Sequence, residues 1–149
     1  MFHMKKFTSK TQQIGQIGEN LACKKLEKLG FKILERNYTK HGGEIDIVAR
    51  KGKNLHFVEV KSVSCEISNK KPGKVTHVTE NQPKPPKEYY RPEENLNFHK
   101  FLKIAKTINI YLLERNVSDE TPWQIDLATV QVDMTRKIGR VEILENIII

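Results

Sequence analysis

Apolar residues alternate along two short arms near the middle of the chain. Ile45 and Ile47 take alternate places in Gly43–Arg50, Val58 and Val60 do so in Leu55–Lys61, and a glycine-bearing Lys51–Asn54 turn lies between them. A period of two with many β-branched residues predicts a β-hairpin. Glycine as the first residue of a Gly52-Lys53 loop suits a type II′ turn, which fixes the register. Lys51 then meets Asn54, Val48 meets Phe57, Asp46 meets Glu59 and Glu44 meets Lys61. Strict alternation puts Glu44, Asp46, Glu59 and Lys61 on one face and Ile45, Ile47, Val58 and Val60 on the other.

Elsewhere the period is helical. Ile14, Ile17, Leu21, Ala22, Leu26 and Leu29 mark a first helix ending before Gly30. Glu19 borders its apolar stripe, while Lys24 and Lys28 lie outside it, towards solvent. Gly15 and Gly18 weaken the helix, and a close backbone approach is the usual compensation. Phe31–Arg36 predicts a strand and Asn37–Gly43 a polar turn. Pro92, with Glu93 and Glu94 behind it, opens a second helix. Its apolar face runs from Phe98 to Leu112, with Lys100 and Lys103 off the centre of that face. Trp123–Val132 and Arg140–Ile149 are the closing strands.

From Glu66 to Arg91 the periodicity fails, and prolines, lysines and polar residues take over. The segment reads as a long loop inserted into a single domain of residues 11–149, with residues 1–10 a flexible basic arm. Lys84–Tyr90 mixes positive charge with aromatics, a composition that suits a nucleic-acid strand and equally a disordered proline-rich insertion.

Composition narrows the class. A chain of 149 residues with 38% hydrophobic and 30% charged content makes one globular domain with a real core. No apolar run is long enough to span a bilayer, and the first residues lack the apolar core of a signal peptide. Cys23 and Cys65 are isolated, so neither a zinc site nor a disulfide framework is expected, and a cytoplasmic location follows. Of the net charge of +8, +6 falls within residues 1–40, where nine basic residues face three acids. Such a footprint suits a polyanion, of which nucleic acid is the commonest, and on charge alone it equally suits a lysine-rich solvated helix.

The hairpin carries the chemistry. Carboxylates directly opposite on antiparallel strands repel. A hard divalent cation such as Mg²⁺ would remove that repulsion, since it takes oxygen ligands and needs only one or two carboxylates. Lys61, two residues after Glu59, could hold a nucleophilic water or stabilise charge on a phosphoryl oxygen. A solvent-facing salt-bridge cluster, with Glu44 paired to Lys61, would give the same pattern with no metal.

The predicted order is α-β-β-β-α-β with an extra C-terminal strand: an α/β fold with a mixed central sheet flanked by helices. The chain resembles the PD-(D/E)xK nuclease superfamily with its restriction-endonuclease-like core and, more narrowly, the bacterial YraN-like family of uncharacterised endonucleases. Gly18-Glu19, Glu35-Arg36-Asn37, Gly43-Glu44-Ile45-Asp46, Phe57-Val58-Glu59-Val60-Lys61, His99-Lys100, Ala105 and Ile125-Asp126 carry the likeness. It covers roughly residues 12–65 and 93–148. Two features depart from the family pattern: the 66–91 loop is long, and Gln124 stands where an arginine is usual.

The resemblance implies that Asp46 and Glu59 bind Mg²⁺ or Mn²⁺ and that Lys61 is the active-site lysine. Glu19 matches the helix-borne acid of archaeal Holliday-junction resolvases, a likeness that also suggests a homodimer. The implied activity is metal-dependent cleavage of DNA, branched or structured DNA included, with Lys24, Lys28, Arg36, Lys100 and Lys103 on the flanking phosphates. The alternatives are a nucleic-acid-binding module without turnover and an adaptor that recruits a protein partner.

Overall fold

A computed structural model describes residues 9–67 and 98–147, with Phe98 described in its backbone only. The described elements are α1 (Lys10–Lys28), β1 (Lys32–Lys40), β2 (Gly43–Lys51), β3 (Asn54–Ser64), α2 (Phe98–Glu114), β4 (Trp123–Asp133) and β5 (Ile138–Leu144). This is the expected α-β-β-β-α-β-β order, consistent with a restriction-endonuclease-like core. The sheet has five strands in the order β1-β2-β3-β4-β5. All neighbours are antiparallel except β3 and β4, whose parallel pairing requires the crossover that contains α2.

Local chemistry sets the helix ends. Ser9 caps α1, its hydroxyl accepting the Gln12 N–H. The helix therefore begins at Lys10, inside the span read as a basic arm; residues 1–8 lie outside the described residues. At the other end Gly30 adopts φ +92, Gly30 N–H reaches Glu27 O, and Phe31 N–H reaches Leu26 O. That is a Schellman closure, and glycine is the residue that adopts its left-handed position without strain.

The two helices cover opposite faces of the sheet. Ile14, Ala22 and Leu26 of α1 pack on Ile47, Ala49, Val58, Ala128 and Val130. Ile104, Ile108 and Tyr111 of α2 pack on Tyr38, Ile45, Val48, Phe57 and Ile125. Glycine permits one close approach on each side. A methyl group at Gly18 would overlap the side chain of Ser62 on β3, with its Cβ at 2.7 Å. A methyl at Gly43 would overlap the Thr107 hydroxyl of α2. Gly15 differs from this expectation: nothing lies within 4 Å of its would-be Cβ, which points into open space.

Three boundaries move. The first strand runs on to Lys40, through the stretch read as a turn. Ile67, placed at the start of the long loop, is buried, and its N–H donates to Asp133 at 3.1 Å. The rest of that loop, residues 68–91, and the Pro92 helix start lie outside the described residues. The last strand ends at Leu144, although Ile147 still donates its N–H to Ile125 O at 2.8 Å. Among the described residues, no helix is long and apolar enough to cross a membrane.

Candidate active site

The hairpin closes as expected. Gly52 has φ +60, and the ladder runs from Lys51↔Asn54 through Val48↔Phe57 to Ile47↔Val58. There the regular pairing stops. Beyond it the Val60 N–H donates at 2.8 Å to the Asp46 carboxylate, Oδ2, so a side chain takes a donor that a continued ladder would have given to β2 backbone. The strands part into a fork with Asp46 at its base.

A second irregularity coincides with the fork. On β1, Arg36 pairs with Ile47 and Tyr38 with Ile45, so Asn37 and Asp46 face one another by count. Asn37 has φ +53, a left-handed value in mid-strand. Tyr38 and Ile45 face α2, whereas Arg36 and Ile47 face α1. Asn37 donates to Glu19 of α1, and Asp46 lines a cavity with Glu19. Both strands thus turn two consecutive side chains towards α1, and alternation slips by one.

This corrects the single acidic face expected from period two. Glu44 and Asp46 look towards α1. Glu59, two places after the α2-facing Phe57, looks towards α2 and pairs with Lys100 Nζ at 2.6 Å. Asp46 and Glu59 therefore reach the fork from opposite sides of the sheet. They remain electrostatic neighbours. Asp46 is pushed up from 3.8 to about 7, by burial first and by the Glu59 charge second. The Val60 N–H opposes that rise, while Glu44 and Glu19 add to it. Lys61 is held below its ordinary value by burial and then by Lys100, with Glu59 opposing.

Glu19 is buried on the α1 side. Its Oε1 accepts from Arg36 Nε and from Asn37 Nδ2, each at 2.9 Å. Asn37 belongs to the site; the family likeness includes it, but by pattern it reads as a turn residue with no role of its own. The cavity beside it, about 490 Å³, is walled by Glu19, Asn37, Glu44, Asp46, Ser62 and Ser64, with Gly15 at its edge. Its donor set, the carboxylates of Glu19, Glu44 and Asp46 with the hydroxyls of Thr11, Ser62 and Ser64, fits a hard cation better than a soft one. Desolvation is the first cause of the raised Asp46 carboxyl, and the charges of Glu59, Glu44 and Glu19 add to it, so a cation there would relieve the second part.

A family model described as "Uncharacterised protein family UPF0102" matches residues 18–130, a span that contains Glu19, Asp46, Glu59 and Lys61. The chain belongs to the UPF0102 family. A UPF0102 protein of Campylobacter jejuni is 38% identical over 120 residues, covering 80% of this chain and 85% of its own. One from Campylobacter concisus is 37% identical over 134 residues, with 89% and 91% covered. One from Campylobacter hominis is 31% identical over 138 residues, with 93% and 96% covered.

Within this UPF0102 fold the basic residues expected on phosphates separate into two groups. Lys24, Lys28 and Lys103 are exposed. Arg36 is committed to Glu19 and Asn20, and Lys100 is paired with Glu59. Among the described residues, the trio whose ligand-type atoms lie within 4.8 Å of one another is a different one, His56, Asp126 and Glu145. Its donors are largely spent. Asp126 Oδ2 accepts from His56 Nδ1 at 2.6 Å, while Oδ1 accepts from Gln124 Nε2 and Asn146 N, each at 2.8 Å. Gln124, which stands in the arginine position, thus supplies a neutral hydrogen bond. The cluster works as an internal anchor for the segment after β5.

Proposed function

We propose that the chain is a divalent-metal-dependent endonuclease acting on DNA, branched or structured DNA included, within the PD-(D/E)xK superfamily. The observation that carries this reading is the fork itself. Asp46 sits half-buried where β2 and β3 part, with Glu59 and Glu19 close enough to raise its pKa and Lys61 beside Glu59. Folding alone gains nothing from that crowding of acids.

Asp46 and Glu59 would hold Mg²⁺ or Mn²⁺ across the fork, each reaching it from its own side of the sheet, with Glu19 lining the cavity on the Asp46 side. When bound, such an ion neutralises phosphoryl charge and makes nearby water more acidic. Lys61, with its pKa lowered, would orient the attacking water or stabilise charge on a non-bridging phosphoryl oxygen. Water adds to phosphorus, and the departing sugar oxygen leaves and takes up a proton. Exposed Lys24, Lys28 and Lys103 supply counter-charge for flanking phosphates, which makes affinity fall with salt.

The ion pairs Glu19–Arg36 and Glu59–Lys100 favour a second reading, a DNA-binding module whose acids are satisfied internally. One experiment separates the two. Pure protein is incubated with linear, nicked, flapped and four-way DNA in Mg²⁺ or Mn²⁺ against EDTA, beside a Glu59→Gln control. Cleavage that needs metal and is lost in Glu59→Gln supports the nuclease. Salt-dependent binding with no cleavage in any arm overturns it in favour of the binding module.

A further inference from the structure

Glu59 already holds a cation. Its carboxylate, 11% exposed, accepts the Lys100 ammonium at 2.6 Å, and the lysine side chain is 45% exposed. The carboxylate belongs to a strand held against β4 from Leu55 to Ser64, Glu59 opposite Leu127 included, whereas the ammonium ends a flexible stem on the first turn of α2. That helix is tied down at Thr107 and by Ile104, Ile108 and Tyr111, so Lys100 is presented to the fork from a fixed base. The same ammonium is close enough to Lys61 to help depress it, so two lysines crowd around one acid. Each acid at the fork thus has its own answer to the missing charge. Arg36 holds Glu19, Lys100 holds Glu59, and burial drives Asp46 towards its neutral form.

We propose that Lys100 is a built-in stand-in for the divalent cation at Glu59, giving up the carboxylate when Mg²⁺ or Mn²⁺ enters. The inference rests on the metal-site reading above and adds what that reading lacks, a competitor within the chain. A hard cation needs the Glu59 oxygens, and a lysine ammonium cannot share them closely with a doubly charged ion. Metal affinity is therefore reduced by the fraction of molecules in which Lys100 occupies the acid. The pair keeps the metal-free fork from carrying an unbalanced buried acid. It also makes occupancy dependent on the cation concentration rather than permanent.

The test is Mn²⁺ titration of the full-length protein by calorimetry, without DNA, at one pH above 7 and one ionic strength. Lys100→Met should bind Mn²⁺ about three- to tenfold more tightly than wild type, the range expected for removing one partly exposed competing pair. Lys100→Arg keeps the charge and grips a carboxylate through two donors, so it should bind no more tightly than wild type. Lys103→Met, one turn further along α2, removes the same charge and should change affinity by less than about twofold. Unchanged or weaker binding by Lys100→Met overturns the proposal, and so does an equal gain in Lys103→Met. Those outcomes leave the metal site standing. No Mn²⁺ binding by wild type or any variant overturns the proposal together with the metal-site reading.

Discussion

The Asp46 carboxylate accepts the backbone N–H of Val60 at 2.8 Å, at the place where the β2–β3 ladder ends. A side chain there does the work of a carbonyl, and the opening it leaves between the strands is the centre of the candidate site.

Metal-free stability should fall as pH rises. A carboxyl raised from 3.8 to about 7 binds more protons folded than unfolded between those values. Its contribution is complete at low pH and is lost as pH climbs through about 7. Between pH 5 and pH 8 this group should cost the fold about 1–3 kcal/mol. Asp46→Asn keeps an oxygen for the Val60 N–H and should flatten the profile, making the variant the more stable protein at pH 8. Urea unfolding of both in EDTA at the two pH values measures it.

Divalent cation should reverse that loss. Binding requires the ionised carboxylate, so Mn²⁺ affinity should rise as pH passes through about 7 and level off above it. Millimolar Mg²⁺ should accordingly raise the melting temperature more at pH 8 than at pH 5, and EDTA should cancel the gain. An equal shift at both pH values would separate Asp46 from the metal.

The two glycines of α1 should behave oppositely. Gly18→Ala drives a methyl into Ser62 Cβ at 2.7 Å, contact that hydroxyl rotation cannot relieve, and should cost about 1–3 kcal/mol. Gly15→Ala meets nothing within 4 Å and gains helix propensity, so it should stabilise by about 0.5–1 kcal/mol. Thermal and urea melts of the pair decide it. A stable Gly18→Ala would mean that α1 does not lie on β3 as described.

Glu19→Gln should weaken the fold modestly, by about 1 kcal/mol. The substitution turns a charge-assisted pair with Arg36 into a neutral contact while relieving Asp46 of one acidic neighbour. On the nuclease reading its cleavage should fall most at limiting Mg²⁺. Cleavage equal to wild type under that condition would reduce the site to Asp46, Glu59 and Lys61.

Much of this geometry was legible before any coordinates. Gly52 at the first loop position set the hairpin register, and Gly30 marked the end of α1, because each carries a backbone signal that few residues share. The slip at Asp46 was not legible. It depends on Asn37 taking φ +53 inside a strand, and an asparagine between Arg36 and Tyr38 reads more naturally as the start of a turn. The Glu59–Lys100 and His56–Asp126 contacts were hidden for another reason. Each joins segments far apart in sequence, and pattern along the chain carries no record of which surface charge finds which acid.

The anchor around Asp126 bears on how the protein breathes. Asn146 and Ile147 lie beyond the last strand, where a chain end ordinarily frays and its amides trade hydrogen with solvent quickly. Here the Asn146 amide is bonded to a carboxylate that is fully buried, and the Ile147 amide to the Ile125 carbonyl. Opening either requires disturbing the middle of the sheet. Both amides should exchange as slowly as those of β4, so that the end of the described chain opens only when the domain does.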